Sequence, residues 1–462
     1  MKSRKFCIII CAIFIPFFLF GQKNSSYELV ELLNNGDFFR SKQLYLQICD
    51  TISPEIALYY KFQMARFMNK KDSASIYLEK ILAEYPDLFG KERVNVYGIL
   101  FDIYIDLGNY EKGICTYERI KQHLRENPYN MDKKELLEWQ EDTEYRLRQL
   151  KYFMKQPSIR IKRKEINDSV KILGALKPLF IAKYNNVSLK TYFDTGAQSY
   201  CIMNSIMAER VGIKCDTTEI SKGLVNQILT NKAILDSIEI GNIMVYNIPV
   251  WVYEQDSRAF SQNSGVNDSK EAVAYDSIYS CLTTPVTIGL PLMQLIGKLC
   301  IDNKGKSITF PISDDNTNVS KEPNLYIYND NLYTRLKVNE KDFTGFLDTG
   351  ADIFMDIDTT FFKNYENDIV IDSVTAKTPY NIVLFHQSHF DIPYMIPYKP
   401  IIRFEDKQIH VLKKRSVKIY PLAIWNGEVF DGIIGYHLFK RLGKKVLLDF
   451  ENMRLEVEEE LE

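Results

Sequence analysis

Two copies of one tetrapeptide constrain this chain more than any other feature. Asp194-Thr195-Gly196-Ala197 follows the apolar step Tyr192-Phe193, and Asp348-Thr349-Gly350-Ala351 follows Phe346-Leu347. At average composition one such tetrapeptide occurs on the order of once per 10⁵ positions. Each copy comes after a strand-like run, at residues 179–183 and 332–338. Each half later reaches an apolar-Gly pair, Ile288-Gly289 and Ile434-Gly435, followed by a helix-like stretch. Each then closes on a strand-turn-strand pattern, at residues 300–308 and 447–455. Three separate features recur in the same order, so the C-terminal part reads as a duplication.

The rest of the chain divides by pattern. Lys2, Arg4 and Lys5 precede an apolar run at residues 6–20 and then Gly21-Gln22. This is the shape of a signal peptide, too short for a comfortable membrane span. The expectation is a leader at residues 1–21 and an exported protein, periplasmic, secreted or membrane-tethered. Residues 22–156 read as a helical domain, because glycine is scarce and apolar residues recur at three and four. Val94, Tyr97, Phe101, Tyr104 and Ile105 share one such face. Gly36-Asp37-Phe38, Lys70-Lys71-Asp72 and Gly108-Asn109-Tyr110 each precede a helical stretch, spaced by roughly 32 to 42 residues. The pattern resembles tetratricopeptide (TPR) repeats; some other helical bundle is the alternative. Pro54, Pro86 and Pro128 are read as closing the pieces.

From residue 157 strand signals dominate, at 234–240, 244–253, 308–312 and 446–450. A basic stretch at 160–164 reads as a linker, 256–269 as an exposed loop, and 313–323 as a link between halves at 165–315 and 322–462. The near-balanced net charge of −2 supplies no field for nucleic acid. Six cysteines lie beyond the leader, none in a Cys-x-x-Cys pair, which argues against zinc. They are left open between disulfides and free thiols.

Residues 170–460 resemble the pepsin and retropepsin aspartic peptidases, particularly bacterial retropepsin-like proteins, on the twin Asp-Thr-Gly-Ala motifs and their downstream apolar-Gly partners. The resemblance implies an α+β multidomain chain: a TPR-like α-helical domain followed by a bilobal all-β acid-protease-like domain. It implies an aspartic endopeptidase with Asp194 and Asp348 as the catalytic pair, peptide or protein as substrate, and no cofactor or metal. Thr195 and Thr349 would cross-link the two active loops. Gly196 and Gly350 would let backbone amides approach the carboxylates. Ile288, Gly289, Ile434 and Gly435 would pack beneath the loops in a psi-shaped arrangement. The chemistry fits the pairing. Hydrolysis without metal or covalent nucleophile needs a base for water and an acid for the leaving nitrogen. Two adjacent carboxyls that share one proton supply both. Which aspartate is the base stays open.

Departures matter as well. Ala197 and Ala351 replace the Ser that many pepsins carry, as in retroviral-type enzymes. The Asp431-Gly432 ahead of the second apolar-Gly pair has no copy in the first half, which shows Val286-Thr287. The flap candidate is Gly223, in 221–224, with residues 378–380 as its counterpart. His386 and His389 read as structural rather than as a metal pair. The rival reading is a non-catalytic peptide-binding module on the same fold, with the helical domain as a scaffold for a protein partner. Because both halves lie in one chain, a monomer is expected.

Overall fold

The computed structural model describes residues 20–126, 133–164, 168–174, 177–214, 216–222, 229–253, 285–312, 322–375, 393–411, 416–422 and 430–458. They form two compact units. One runs to Ser158 and takes in Tyr326–Tyr328; the other comprises Ile159–Leu325 and Asn329–Glu462.

The first unit is helical: Phe20–Asn34, Phe38–Ile48, Pro54–Phe67, Lys71–Glu84, Arg93–Asp106, Tyr110–Glu126 and Lys133–Met154. Its turns follow a shared chemistry. Gly36 and Gly108 adopt positive φ, and so does Asn69. In two of the turns the side chain of the residue after the glycine accepts the amide three residues further on. The Asp37 carboxylate accepts the Arg40 amide at 3.1 Å, and the Asn109 side chain accepts the Lys112 amide at 3.3 Å. Pro54 opens a helix at its first position instead of closing one, because its missing N–H would be unpaired there anyway. Val94, Phe101 and Tyr104 are buried as the spacing requires. Ile105 packs on a cluster of Phe101, Tyr117 and Leu150. Phe38 stacks on Tyr326, ring centroids 5.3 Å apart, and Phe67 meets the same ring edge-on at 5.7 Å. Of the expected leader only Phe20 and Gly21 are described, at the start of the first helix. Among the described residues no helix is long and apolar enough to cross a membrane.

The second unit is built from β-sheets, and its two halves repeat one scheme. The first sheet runs in the order Arg160–Arg163, Ile243–Tyr253, Cys201–Asn204, Val286–Gly289, Val187–Asp194, Leu179–Tyr184, Leu229–Ile240, Asp216–Lys222. The second runs Ile371–Thr375, Tyr394–Pro397, Val417–Tyr420, Met355–Asp358, Gly432–Gly435, Lys341–Asp348, Asn331–Val338, Ile402–Phe404, Lys407–Ile409. In both, a hairpin leads into the Asp-Thr-Gly strand. That strand pairs in parallel with the apolar-Gly strand, with Asp194 opposite Gly289 and Asp348 opposite Gly435. The apolar-Gly strand then pairs antiparallel with the strand that follows the loop. By this register Gly432 is the counterpart of Val286, and Asp431 that of Pro285. The Asp431 carboxylate accepts the Thr344 amide at 2.7 Å.

The basic stretch at 160–163 is a strand, not a linker. It pairs antiparallel with Ile243–Tyr253, and the cations of Arg160 and Lys162 lie 5.6 and 5.7 Å from the Tyr246 ring centroid. Alternate side chains face out, so charge on one side does not prevent pairing. Hairpins at Lys298–Asp302/Ser307–Thr309 and Lys445–Asp449/Arg454–Glu458 join edge to edge, Leu299 opposite Leu448. With Ser169–Lys171 they make a five-stranded sheet to which both halves contribute. The four described cysteines, Cys49, Cys115, Cys201 and Cys300, are free thiols.

Candidate active site

Each Asp-Thr-Gly loop begins where a buried strand ends. Val187–Asp194 alternates outward and inward until Tyr192, Phe193 and Asp194 are all enclosed, over the stretch where it pairs in parallel with the apolar-Gly strand. Phe193 stacks on Phe180 at 4.8 Å and meets Phe310 edge-on. The loop then turns back over the apolar-Gly strand. Leu290 donates its amide to Ala197 O at 2.9 Å, and Tyr436 donates to Ala351 O at 3.1 Å. Gly289 and Gly435 likewise donate to Tyr200 O and Phe354 O. Ile288 and Ile434 are buried beneath. The two loops are therefore supported by the same bonds in both halves.

The loops meet at their threonines. Thr195 accepts the Thr349 amide at 2.9 Å through Oγ1 and donates that hydroxyl to Leu347 O at 2.5 Å. Thr349 returns both bonds: its Oγ1 accepts the Thr195 amide at 3.1 Å and donates to Phe193 O at 3.0 Å. Both threonines are buried. Four bonds in a low-dielectric core lock the residues flanking each aspartate to the opposite loop.

This interlock sets Asp194 and Asp348 side by side. A Cβ on Gly196 would lie 2.8 Å from the Asp348 carboxyl, and one on Gly350 would overlap that of Asp194. Glycine at both positions is therefore a steric requirement of the pairing. Gly196 N donates to Asp194 Oδ1 at 2.9 Å. Asp348 Oδ1 accepts Gly350 N at 2.9 Å and Ala351 N at 3.1 Å. Burial first, then the Asp194 charge and a hydrogen bond that protonated Asp348 donates to Asp194, hold Asp348 well above the usual carboxylate range. The Gly350 amide and the Lys177 ammonium pull the other way without overcoming burial.

Some neighbours are not symmetric. Gln198, after the first tetrapeptide, donates Nε2 to Asn331 Oδ1 at 3.0 Å. Asp352, after the second, pairs with His437 Nε2 at 2.6 Å. The signal was present, since the residue after Ala differs between the halves, but its partners lie too far along the chain to be inferred. Lys177 and Tyr192, beside the dyad, were also not singled out. Gly223 lies outside the described residues, as do 378–380, His386 and His389. The strands on either side of Gly223, Asp216–Lys222 and Leu229–Ile240, form a hairpin with Lys222 opposite Leu229. Ile371–Thr375 and Tyr394–Pro397 do the same in the other half. Among the described residues no cluster of His, Cys, Asp and Glu could hold a metal ion.

Residues 181–267 match a family model described as Aspartyl protease. Over that stretch the β-rich unit is similar to aspartyl proteases. The matched stretch lies within the first lobe of this unit and includes Asp194. Its second lobe repeats the same register and the same loop bonds around Asp348. Solved structures similar to the chain include a retropepsin-like aspartic protease from Rickettsia conorii, 20% identical, with 33% of this chain and 92% of that one covered at a TM-score of 0.19. Another is the retroviral protease-like domain of Ddi1 from Leishmania major, 16% identical, with coverage of 33% and 99% and a TM-score of 0.18. No curated protein matches.

Proposed function

We propose that the chain is an aspartic endopeptidase that hydrolyses peptide bonds with a water activated between Asp194 and Asp348. The observation that supports this most directly is the pairing itself, one carboxyl from each lobe brought together by the threonine interlock. Like charges at that range do not both ionise, so one proton is shared. Burial and the neighbouring like charge keep that proton on the pair, and it is assigned to Asp348 in the steps that follow. In this reading Asp194 takes a proton from water while the water oxygen bonds to the scissile carbonyl carbon. Asp348 gives its proton to the carbonyl oxygen, forming a neutral gem-diol. Asp194 then passes a proton to the leaving nitrogen as the C–N bond breaks, and a gem-diol hydroxyl returns a proton to Asp348. Atoms and charge balance without metal or cofactor. Peptide or protein is the proposed substrate, a monomer the proposed working form, and export the proposed route. The helical unit is proposed to engage a protein partner.

The test is peptide-library cleavage at roughly pH 4 to 8 by the parent, Asp194→Asn and Asp348→Asn. Each substitution should lower kcat/KM by about 10²- to 10⁴-fold, the contribution of a positioned acid or base. A parent that cleaves nothing, or a variant that cleaves as well as the parent, overturns the reading in favour of a peptide-binding module.

A further inference from the structure

One of the differences between the two halves lies at the start of the hairpin that leads to each aspartate. In the first hairpin Leu179 stands opposite Tyr192 and Phe180 opposite Thr191. Lys177 lies two residues ahead of that strand, in a turn where Leu179 N donates to Lys177 O at 2.8 Å, and its ammonium reaches Tyr192, which shares a strand face with Asp194. In the second hairpin Tyr333 stands opposite Phe346, and Asn331 holds the position two residues ahead of Tyr333 that Lys177 holds ahead of Leu179. Thus a cation occupies the position in one lobe and a neutral amide in the other. The Lys177 ammonium is seated 4.6 Å from the ring centroid of Tyr192, whose own side chain is fully enclosed. Tyr192 is itself asymmetric, its counterpart being Phe346. Lys177 is half-buried, so its charge is only partly screened.

We propose that Lys177 is a positioning residue for the dyad, a single ammonium on the first-lobe side that favours the ionised pair and sets the pH range in which the dyad works. This rests on the peptidase reading above. The ionisable groups around it are Asp194 and Asp348 on the active loops and Tyr192 on its partner strand. Tyr253, at the end of Ile243–Tyr253, acts on Tyr192 in turn. The Tyr192 ring holds the ammonium by a cation–π contact, so the cation need not contact either carboxylate to act on both. The ammonium lowers the pH at which Asp348 gives up its proton, against burial and the Asp194 charge. Losing it makes both ionisations of the pair harder, so both limbs of a bell-shaped profile move to higher pH.

The experiment measures kcat/KM against pH for the parent, Lys177→Met and Lys177→Arg, together with a ¹³C titration of the aspartate carboxyls, which needs no activity. Lys177→Met should shift both limbs, and the carboxyl titration, upward by about one pH unit, from one partly screened charge nearby. Lys177→Arg should restore the parent profile. Unshifted limbs and titration in Lys177→Met, or equal loss at every pH in both variants, would overturn the proposal. An inactive parent would count against the peptidase reading alone, and the carboxyl titration would still decide for or against Lys177.

Discussion

Thr195 and Thr349 each use one hydroxyl twice. Each accepts the opposite loop's threonine amide and donates to the carbonyl before the opposite aspartate. Removing Oγ1 of Thr195 leaves the Thr349 amide and the Leu347 carbonyl buried without partners. Each loss is worth about 1–3 kcal/mol. Thr195→Ala should therefore lower stability by about 2–5 kcal/mol, while Thr195→Ser should keep most of it; urea unfolding with an unchanged slope checks this. Asp356 makes a different residue-scale prediction. It is buried on the strand beside Ile433, with the Tyr420 hydroxyl donating to Oδ2 at 2.7 Å, and burial raises its carboxyl above the ordinary range. Tyr420 and Lys418 oppose that shift without cancelling it. A raised folded value means folding takes up a proton. The associated stability is complete below the unfolded value and lost as pH rises through the folded one. Asp356→Asn carries no such charge, so its stability relative to the parent should grow as pH rises from about 4. Unfolding both proteins at about pH 4 and pH 8 measures it, and a constant difference would rule the assignment out.

At the scale of the element, the apolar-Gly strands do most of the placing. Gly289 packs against the loop so closely that a Cβ would overlap Ser199 O and lie 2.5 Å from Ala197 O. Both are backbone atoms, and the second belongs to the active loop. Gly289→Ala should cost about 1–3 kcal/mol, the range for overpacking, and should also displace the loop. Melting and peptide cleavage together test it: a stable variant with parental activity would show that the strand merely underlies the site. The strand at Arg160–Arg163 carries the opposite lesson. Its charges suggest solvent, yet Arg163 donates to Phe310 O and to Ile296 O while Tyr246 receives the neighbouring cations. Composition alone does not reveal an edge strand whose partner lies far along the chain.

At the scale of the molecule, the five-stranded sheet ties the lobes together through backbone bonds from Lys298–Asp302 to Lys445–Asp449. Lys298 and Asp449, both nearly buried, add an ion pair at 3.4 Å across the same seam. A fragment of residues 159–312 would expose that strand edge and lose the threonine partner as well. It should dimerise or aggregate, whereas the whole unit should unfold in one transition. Sedimentation and urea unfolding read both, and a monomeric, cooperatively folded fragment would refute the coupling.

Much of this was legible in advance. The Asp-Thr-Gly-Ala repeats, the strands leading to them and the apolar-Gly pairs are set by local alternation and by residue types that few other folds need in that order. The helical turns at Gly36 and Gly108 could be read too, since positive φ selects glycine locally. What the sequence by itself determined is thus the duplication, the two carboxyls and the order of helical and β-rich parts. What only the tertiary structure decided is how the halves engage: the crossed threonine bonds, the sheet shared between lobes, the seat of the Lys177 ammonium on Tyr192, and the enclosure that raises Asp348. These depend on contacts between residues distant along the chain, and the energy of such contacts comes from burial and backbone pairing, which no local pattern encodes.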